Sequence, residues 1–366
     1  MYTQHVKNDT VRLIADDKIP FLRGVPESLG FETVYLPGKD ISAGDVREAD
    51  AQLKYAKVIS DKREADALMV RTRTRCDEAL LHGSKVRLVV TATIGYDHID
   101  TQYLAHAGIK WTNCPGCNAA SVGQYVHSSL LVLAAKGYVR LEDCCVGIVG
   151  VGHVGTEVEK ACRQLGCRIL LNDPPREAAG EEGFTDLDAL CRECDVITFH
   201  TPLTRTGDFP TYHMGNADFF ASLLRRPVII NAARGEVVDN EAWVRSLDEG
   251  TTSAAVVDTW ENEPDISPEL LKRALIATPH VAGYSADGKA NATRQALTAL
   301  CRFFGISPDF EILPPPLPPD MKPEKDAALR ALQLYNPLND TAALKASPQS
   351  FEYLRGNYPL RRETWS

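Results

Sequence analysis

Residues 145–155 read Cys-Val-Gly-Ile-Val-Gly-Val-Gly-His-Val-Gly, and this stretch decides the fold. Its first five residues are apolar and rich in β-branched side chains, which is typical of a strand buried inside a parallel sheet. The glycines that follow have the spacing G-x-G-x-x-G: they are Gly150, Gly152 and Gly155. In a nucleotide-binding turn, the first glycine permits the tight turn, the second lets a pyrophosphate approach the backbone, and the third lets helix and strand pack closely.

The residues after the glycines predict a helix and a second strand. Apolar residues recur at helical spacing through about residue 165, so a helix is predicted to open at Gly155. An apolar run at 168–172 predicts the next strand, and Asp173 follows it about twenty residues beyond the motif. An acid in that place hydrogen-bonds the ribose of a dinucleotide. We therefore predict a dinucleotide site in which the helix N-terminus, with His153 and Val154, faces the phosphates.

Composition and charge narrow the class of protein. The chain has 366 residues, enough for two or three domains, and a net charge of −9, which argues against nucleic acid or an anionic membrane as a partner. The N-terminus lacks the apolar core of an export signal, and no run of 18 apolar residues occurs. We therefore expect a cytoplasmic enzyme with neither a nucleic-acid nor a membrane partner.

The ten cysteines include two Cys-x-x-Cys pairs, at 114/117 and 191/194. Such pairs are potential zinc ligands. Here the two pairs lie far apart in the sequence, and each lies beside a predicted strand of an α/β fold. Without an export signal, the thiols are expected to stay reduced. We predict no metal site.

Alternating apolar and polar stretches predict two α/β units. Up to about residue 113, the predicted strands are 12–16, 31–35, 67–70 and 87–91. A long amphipathic helix, about 119–136, leads to the second unit. There the predicted strands are 145–149, 168–172, 195–199, 227–231, 254–258 and 275–278, alternating with helical stretches. This order predicts a doubly wound parallel sheet.

Polar motifs follow the last four predicted strands. They are His200–Leu203, Asn231–Asp239, Asp258–Pro264 and Thr278–Tyr284. In a doubly wound sheet, ligands bind outside the carboxyl ends of the strands. Arg234, Glu263 and His280 stand at successive strand ends, and together they predict a catalytic site beside the nucleotide.

These motifs, in this order, resemble the D-isomer-specific 2-hydroxyacid dehydrogenases. The resemblance covers roughly residues 66–305 and includes His-Thr-Pro-Leu, Asn-Ala-Ala-Arg-Gly-Glu, Asp-Thr-Trp-Glu-Asn-Glu-Pro and Thr-Pro-His-Val-Ala-Gly. Relative to the family, residues 51–66 resemble an insertion. The resemblance implies a Rossmann-type doubly wound parallel NAD domain at 114–284 and a flavodoxin-like substrate domain made of 1–113 and 285–305. Residues 306–366 would be a proline-rich linker and a small C-terminal dimerisation segment. The active site would lie in the cleft between the two domains.

The resemblance also implies roles for individual residues. His280 would be the general base that takes the hydroxyl proton, Glu263 the carboxylate that orients it, and Arg234 the clamp on the substrate carboxylate. The residues implied to bind NAD are Gly150, Gly152, His153, Val154, Gly155, Asp173, Thr201, Ala232, Ala233, Asp258 and Gly283. Those implied to bind substrate are Arg71, Thr72, Thr93, Ile94, Gly95 and Tyr284.

Within the family, the resemblance is greatest to the branch that oxidises 4-phospho-D-erythronate in the biosynthesis of pyridoxal 5′-phosphate. It is carried by Ala-Leu-Met-Val-Arg-Thr at 67–72, Thr-Ala-Thr-Ile-Gly-Tyr-Asp-His at 91–98, Pro-Gly-Cys-Asn-Ala at 115–119 and Asn-Asp-Pro-Pro-Arg at 172–176. A small phosphorylated hydroxy acid needs positive charge. Arg71, Arg73 and Arg75 alternate, and on an extended segment they would share a face. We expect a phosphate-binding patch there; the alternative is a solvated strand end.

The C-terminal region begins with a proline-rich stretch, Leu313–Pro319, that is typical of a stiff spacer. Some forty residues with helical patterning follow, too few to hold a large core alone, so they have to pack against something. Leu329, Leu332 and Leu334 offer apolar surface. Since the resemblance assigns this region to dimerisation, we expect a homodimer in which the spacer holds the segment clear of its own cleft. The arginines Arg355, Arg361 and Arg362 would then either reach a phosphate in the partner's site or be solvated.

Two other functions stay open. A related dehydrogenase acting on 3-phosphoglycerate or glycerate would share the fold and the catalytic residues. A transcriptional corepressor that senses NAD would share the fold without turnover, and the acidic charge argues against it. For the cofactor itself, Asp173 predicts NAD rather than NADP, because a 2′-phosphate would meet a negative charge.

Overall fold

The computed structural model describes residues 10–41 and 65–365, so most of the predicted insertion at 51–66 lies outside the described residues. The chain forms two compact units. One is made of Met1–Cys117 and Lys289–Pro315, the other of Asn118–Gly288 and Pro316–Ser366. Within the described ranges, no helix has both the length and the apolar character needed to cross a bilayer.

The described residues of the first unit form a five-stranded parallel sheet of order β2-β1-β3-β4-β5, which is the flavodoxin-like order. Its elements are β1 (Arg12–Asp16), α1 (Val25–Ser28), β2 (Glu32–Leu36), β3 (Ala67–Val70), α2 (Glu78–Leu81), β4 (Leu88–Thr91), α3 (Thr101–His106) and β5 (Lys110–Thr112). Both faces of the sheet are covered, because Met69 and Val90 pack into one apolar core while Leu68 and Val89 pack into another. The edge strand β5 was not predicted, since it has only three residues and begins with an exposed lysine.

The second unit contains a six-stranded parallel sheet of order β11-β10-β9-β8-β6-β7. Its elements, with the helix that leads back to the first unit, are α4 (Ala119–Ala135), β6 (Cys145–Val149), α5 (His153–Gln164), β7 (Arg168–Asn172), α6 (Pro174–Ala178), α7 (Leu187–Glu193), β8 (Val196–Phe199), α8 (Ala217–Ala221), β9 (Val228–Asn231), α9 (Asn240–Glu249), β10 (Ala254–Val257), α10 (Pro268–Arg273), β11 (Ile276–Ala277) and α11 (Ala286–Phe304). The predicted doubly wound fold is confirmed, with every predicted strand within one residue of its observed bounds. The strand order reverses between β6 and β8, which makes that crevice the switch point where ligands bind.

Helix α4 differs from its prediction in one respect. Its bounds are nearly those expected, but it is not amphipathic, because Tyr125, Leu130 and most of its other side chains are buried. The reason is the C-terminal segment, whose helices α12 (Ala327–Leu334) and α13 (Pro337–Ala346) pack against α4. Tyr335, at the end of α12, lies with its ring centroid 6.0 Å from that of Tyr125.

The C-terminal segment therefore packs on its own chain, and the expectation that the spacer holds it clear is wrong. Leu344 of α13 and Phe351, the first residue of α14 (Phe351–Gly356), are 0% and 1% exposed within the core of the second unit. Thr341 accepts a hydrogen bond from the N–H of Ala277 at 3.0 Å, which ties α13 to the edge strand β11. The segment is too small for a core of its own, and it completes the core of the second unit instead.

Candidate active site

The three glycines after β6 occupy three different environments. Gly150 has φ 88°, in the left-handed region that favours glycine, and a Cβ there would lie 2.9 Å from the backbone of His200. At Gly152, no atom of the described residues lies within 4 Å of the place a Cβ would take. At Gly155, a Cβ would lie 2.1 Å from the carbonyl oxygen of Gly150. A tight turn, an open approach and a close helix–strand contact are what a pyrophosphate-binding turn requires.

Helix α5 begins at His153, two residues before the predicted start at Gly155. Gly152 is its N-cap, in extended backbone, and no side chain of the described residues caps this end. The N–H groups of the first turn, near Val154, therefore keep their donors for an anion at the positive end of the helix dipole.

Asp173 joins the glycine turn to helix α6. Its Oδ2 accepts the N–H of Val151 at 2.8 Å, and its Oδ1 accepts the N–H of Arg176 at 3.2 Å as the N-cap of α6. The Arg176 guanidinium donates to Glu181 Oε2 at 2.5 Å and to the carbonyl of Val151 at 2.6 Å. Its hydrogen bond lowers the pKa of Glu181. The positive charge nearest Asp173 in sequence is thus already paired.

His200 and Thr201 follow β8 on the other side of the switch point. Burial lowers the pKa of His200 to about 3, so its ring is neutral, with Nε2 2.8 Å from Thr198 Oγ1. Among the described residues, neither His200 Nδ1 nor the buried Thr201 hydroxyl has a hydrogen-bond partner. Orphaned buried polar atoms are rare in proteins. Two of them beside the glycine turn fit a polar ligand there.

After β9, the side chain of Asn231 shapes the loop that carries Arg234. Asn231 Oδ1 accepts the N–H of Ala233 at 3.1 Å, and its Nδ2 donates to the carbonyl of Arg234 at 2.9 Å. Gly235 comes next, where a Cβ would lie 1.9 Å from the carbonyl oxygen of Trp260. Arg234 Nη1 donates to the carbonyl of Ala233 at 2.8 Å, and no carboxylate of the described residues pairs with this guanidinium. Its remaining donors suit a carboxylate ligand.

Glu263 and His280 form a hydrogen-bonded pair. His280 Nδ1 lies 2.8 Å from Glu263 Oε2 and 3.1 Å from Oε1, and Oε1 also accepts the N–H of Trp260 at 2.9 Å. Burial alone would raise the pKa of Glu263, but the hydrogen bond and charge of His280, the Trp260 N–H and the nearby Arg355 outweigh it, so this pKa is lowered. The carboxylate is therefore ionised, and it directs the Nε2 of His280 away from itself. His280 has φ 57°, a strained conformation for a residue with a side chain, of the kind that collects at functional sites.

Asp258 lies beneath the loop that follows His280. It is 1% exposed, and burial raises its pKa despite the donors around it. Its Oδ1 accepts the N–H groups of Val281 at 2.8 Å and Ala282 at 3.0 Å. The sequence predicted that Asp258 binds NAD. In the structure, its carboxylate binds the backbone of the loop.

Gly283 is next in that loop, and a Cβ there would lie 2.2 Å from Nδ2 of Asn118. The glycine thus makes room for an amide side chain that the sequence did not single out. The sequence offered one indication of a role for Asn118, which is its place in the motif Pro-Gly-Cys-Asn-Ala, just before helix α4.

In the first unit, the prediction that Arg71, Arg73 and Arg75 share one face of an extended segment is wrong. Residues 71–75 form a turn directly after β3, with the N–H of Thr74 donating to the carbonyl of Arg71 at 3.1 Å. The Arg71 guanidinium donates to the carbonyl of Lys18 at 3.1 Å, whereas Arg75 pairs with Asp77 at 3.0 Å. The arginines therefore have different surroundings, and Thr72 is exposed at the tip.

The other predicted substrate loop, Thr93-Ile94-Gly95, is held by its own unit. Thr93 Oγ1 donates to the carbonyl of Gly95 at 2.8 Å, and Asn113 Nδ2 donates to the carbonyl of Ile94 at 2.7 Å. His98 supports the same loop through Thr91, whose hydroxyl lies 2.7 Å from Thr93 Oγ1 and 2.9 Å from His98 Nε2. Burial lowers the pKa of His98, which keeps this support uncharged.

The sequence did not predict that arginines of the C-terminal segment lie near the Glu263–His280 pair of the same chain. Arg355 Nη1 lies 3.5 Å from Glu263 Oε2, and Arg361 is only 8% exposed. Arg362 pairs with Asp287 at 3.0 Å. The alternative that these three side chains are merely solvated is wrong. Across residues 10–41 and 65–365, no cluster of three or more His, Cys, Asp or Glu is arranged to bind a metal.

The sequence is similar to proteins of one family along almost its whole length. The family profile described as "D-isomer specific 2-hydroxyacid dehydrogenase, NAD binding domain" matches residues 127–282. An erythronate-4-phosphate dehydrogenase from Bacteroides thetaiotaomicron is 48% identical over 96% of this chain and 97% of its own. One from Porphyromonas gingivalis is 41% identical over 96% of this chain and 94% of its own. The chain belongs to the D-isomer-specific 2-hydroxyacid dehydrogenase family.

Solved structures of 2-hydroxyacid dehydrogenases share the fold. The NAD⁺-bound 3-phosphoglycerate dehydrogenase of Entamoeba histolytica has a TM-score of 0.63 and 25% identity, and the match covers 81% of this chain and 96% of that one. D-Lactate dehydrogenase of Aquifex aeolicus, complexed with NAD and lactic acid, has a TM-score of 0.57 and 23% identity over 80% and 95% of the two chains. The family resemblance is confirmed, and this member is an NAD-dependent dehydrogenase. The open face at Gly152, the uncapped helix and the unpartnered Thr201 hydroxyl fit that cofactor.

Proposed function

We propose that this dehydrogenase oxidises the C2 hydroxyl of 4-phospho-D-erythronate to the 2-oxo acid, a step toward pyridoxal 5′-phosphate. The observation that carries the proposal is the 41–48% identity to erythronate-4-phosphate dehydrogenases along 96% of the chain. The unmatched 4% of 366 residues is about 15, fewer than the C-terminal segment contains, so the similarity continues past the proline-rich spacer.

The acid–base chemistry is assigned to the Glu263–His280 pair. Oxidation of a secondary alcohol removes the hydroxyl proton and a hydride from the same carbon. His280 takes the proton at Nε2, because its Nδ1 is occupied by Glu263 at 2.8 Å. The ionised Glu263 stabilises the imidazolium that results, as the acid of a catalytic triad does. In the reverse direction, the protonated His280 donates to the ketone oxygen.

Substrate and cofactor are assigned to the strand ends. Arg234 binds the substrate carboxylate and polarises the reacting oxygen with its planar donors. NAD, when bound, accepts the hydride. The residues proposed to hold it are Gly150, Gly152, His153, Val154, Gly155, Asp173, Thr201, Ala232, Ala233, Asp258 and Gly283, and those proposed to hold the substrate are Arg71, Thr72, Thr93, Ile94, Gly95 and Tyr284.

The proposal is tested with a panel of hydroxy acids and NAD: 4-phospho-D-erythronate, 3-phospho-D-glycerate, D-glycerate and D-lactate. We expect kcat/KM to be at least tenfold higher for the first. A higher kcat/KM for 3-phosphoglycerate or glycerate would contradict the substrate assignment and leave the family assignment unchanged. Absence of turnover with every acid, with intact NADH binding, would favour the corepressor function.

We expect NAD to be preferred over NADP. The 2′-phosphate of NADP would lie against Asp173, and like charges about 4 Å apart repel by about 4 kcal/mol at an effective dielectric near 20. Arg176 offsets this charge only in part, because it is also paired with Glu181. The measurement is kcat/KM with each cofactor. Glu181→Gln is the matched variant: it releases Arg176 and should narrow the preference. Equal efficiencies in the unaltered enzyme would contradict the assignment.

Arg71→Gln is expected to weaken binding of 4-phosphoerythronate far more than binding of erythronate. Losing a charge-assisted hydrogen bond costs about 1.5–3 kcal/mol, which is roughly tenfold to a hundredfold in KM. Arg75→Gln, in the same turn but paired with Asp77, is the control and should leave both KM values nearly unchanged. Equal losses for both substrates would mean that Arg71 supports the turn through Lys18 instead.

We also propose a homodimer. With the C-terminal segment packed on its own unit, Leu329 remains 56% exposed and Tyr353 69% exposed, which leaves apolar surface for a second copy. Sedimentation or light scattering of the full-length chain should give twice the chain mass of 40.2 kDa. A monomer at micromolar concentration would contradict this.

A further inference from the structure

The C-terminal segment is hydrogen-bonded to the loop that carries His280, here called the His280 loop (residues 280–285). Arg361 Nη1 donates to the carbonyl of Val281 at 3.0 Å and to that of Tyr284 at 2.8 Å, and its Nη2 donates to the carbonyl of Ala282 at 2.7 Å. The backbone carbonyl of Arg361 in turn accepts the N–H of Ala286 at 2.8 Å. One guanidinium therefore holds three carbonyls within four residues of His280.

Arg361 is itself held firmly. Its guanidinium lies 3.9 Å from the ring centroid of Tyr335, and its Nε donates to Gln124 Oε1 on helix α4 at 2.8 Å. Its Nη1 lies 3.2 Å from the hydroxyl of Tyr358. The ring contact and these hydrogen bonds leave the side chain little freedom, so the carbonyls that it binds are held in place with it.

The opposite side of the same backbone is held by Asp258. That carboxylate accepts the N–H groups of Val281 and Ala282, while Arg361 binds their carbonyls. The peptide unit that joins Val281 to Ala282 is thus held at both ends, its carbonyl by Arg361 and its N–H by Asp258. The peptide units on either side of it are each held at one end, by Asp258 before it and by Arg361 after it.

A second arginine of the segment touches the acid of the pair. Arg355 Nη1 lies 3.5 Å from Glu263 Oε2, the oxygen that is 2.8 Å from His280 Nδ1. Burial raises the pKa of Glu263, and the positive charge of Arg355 is one of the causes that lower it, after His280 and the Trp260 N–H. Arg355 is therefore placed to orient the carboxylate that orients His280.

We propose that Arg361 and Arg355 are positioning residues, through which the C-terminal segment holds His280 and Glu263 in reactive geometry within the same chain. This inference rests on the catalytic roles proposed above. Burying an arginine is costly, and apolar residues of similar volume often stabilise a protein as well or better. If the C-terminal segment were needed only for packing, an apolar residue at position 361 would suffice. Binding three carbonyls requires the several N–H donors of a guanidinium.

The test uses the full-length chain with Arg361→Met, Arg361→Lys and Arg355→Met. A displacement of about 1 Å in a catalytic group costs roughly a hundredfold in rate. We expect Arg361→Met to lower kcat by 10- to 100-fold while the KM for NAD changes less than threefold. Lysine lacks the fork, so Arg361→Lys should recover little of the loss. Arg355→Met should lower kcat by three- to tenfold.

Lys345→Met is the matched control. Lys345 belongs to the same segment and donates to the carbonyl of Ala274 at 2.6 Å, but this bond is made away from the His280 loop. The control should lower the melting temperature and leave kcat unchanged. Variants of Arg361 and Arg355 with normal kcat, or kcat losses that Lys345→Met reproduces at equal loss of stability, would overturn the proposal. If Arg361→Met does not fold, the Arg355→Met result decides in the same way.

Failure of the substrate assignment is distinguishable from failure of this inference. The unaltered enzyme is first assayed with the panel of acids, and the variants are then compared on whichever acid it oxidises best. NADH binding, followed by fluorescence, should remain within threefold in each folded variant. A loss of NADH binding that parallels the loss of kcat would mean that the arginines support the whole unit, which overturns the positioning role.

Discussion

His280→Asn is expected to lower kcat at least about a hundredfold, since general acid–base catalysis contributes roughly 10²–10⁴-fold. Asparagine keeps a polar side chain toward Glu263 but cannot take a proton. The glycine turn after β6 is untouched, so NADH binding should stay within about threefold. Steady-state kinetics and a fluorescence titration with NADH measure the two quantities on the same preparation.

A companion variant is Glu263→Gln, which removes the charge and keeps the shape. It should also lower kcat, because the imidazolium loses its stabilising carboxylate. Near-normal turnover of His280→Asn would show that another group accepts the proton. Loss of NADH binding in either variant would instead point to damage beyond the pair.

Ending the chain after Pro315 is expected to abolish cooperative unfolding of the second unit and its NADH binding. Leu344, Phe351 and Tyr335 are at most 5% exposed in that unit, and truncating one such side chain costs about 2–5 kcal/mol. Losing several approaches the 5–15 kcal/mol that holds a typical protein together. Thermal unfolding with and without NADH measures the effect. A truncated chain that melts and binds like the full-length one would contradict the packing described here.

Two leucines of the segment allow a finer comparison. Leu344→Ala removes a side chain that is 0% exposed, and Leu329→Ala one that is 56% exposed. The first should lower the free energy of unfolding by about 2–5 kcal/mol, whereas the second should change it by less than about 0.5 kcal/mol. A change of subunit association in Leu329→Ala alone would locate the dimer contact on α12.

The strands of both sheets, apart from the short edge strand β5, were predictable because their signals are local. A strand buried on both faces must be apolar throughout, as Cys145–Val149 and Val228–Asn231 nearly are. In the glycine turn, stereochemistry within the chain requires glycine at Gly150 and Gly155. The Arg-Glu-His set could be proposed because consecutive parallel strands end at one edge of the sheet.

The predictions that failed did so for different reasons. The prediction of an amphipathic α4 overlooked that Ala119–Ala135 contains no Asp, Glu, Lys or Arg, a composition typical of a helix buried on all sides. That α12 and α13 are among the elements that cover it is a contact distant in sequence. The Arg71–Arg75 stretch alternates like a strand, but β3 ends at Val70 and the chain turns at once. The contact between Arg361 and Val281 joins residues 80 positions apart, and no local pattern encodes it.

The division of the chain has a consequence for its synthesis. Each unit is built from two separate stretches, and the second stretches, Lys289–Pro315 and Pro316–Ser366, follow each other in the sequence. Both stretches of the first unit therefore precede Pro316, whereas the second unit stays incomplete until Pro316–Ser366 has been added. At about 5–20 residues per second, the ribosome adds these 51 residues over several seconds. During that time the second unit lacks α12, α13 and the contacts of Arg361 with the His280 loop.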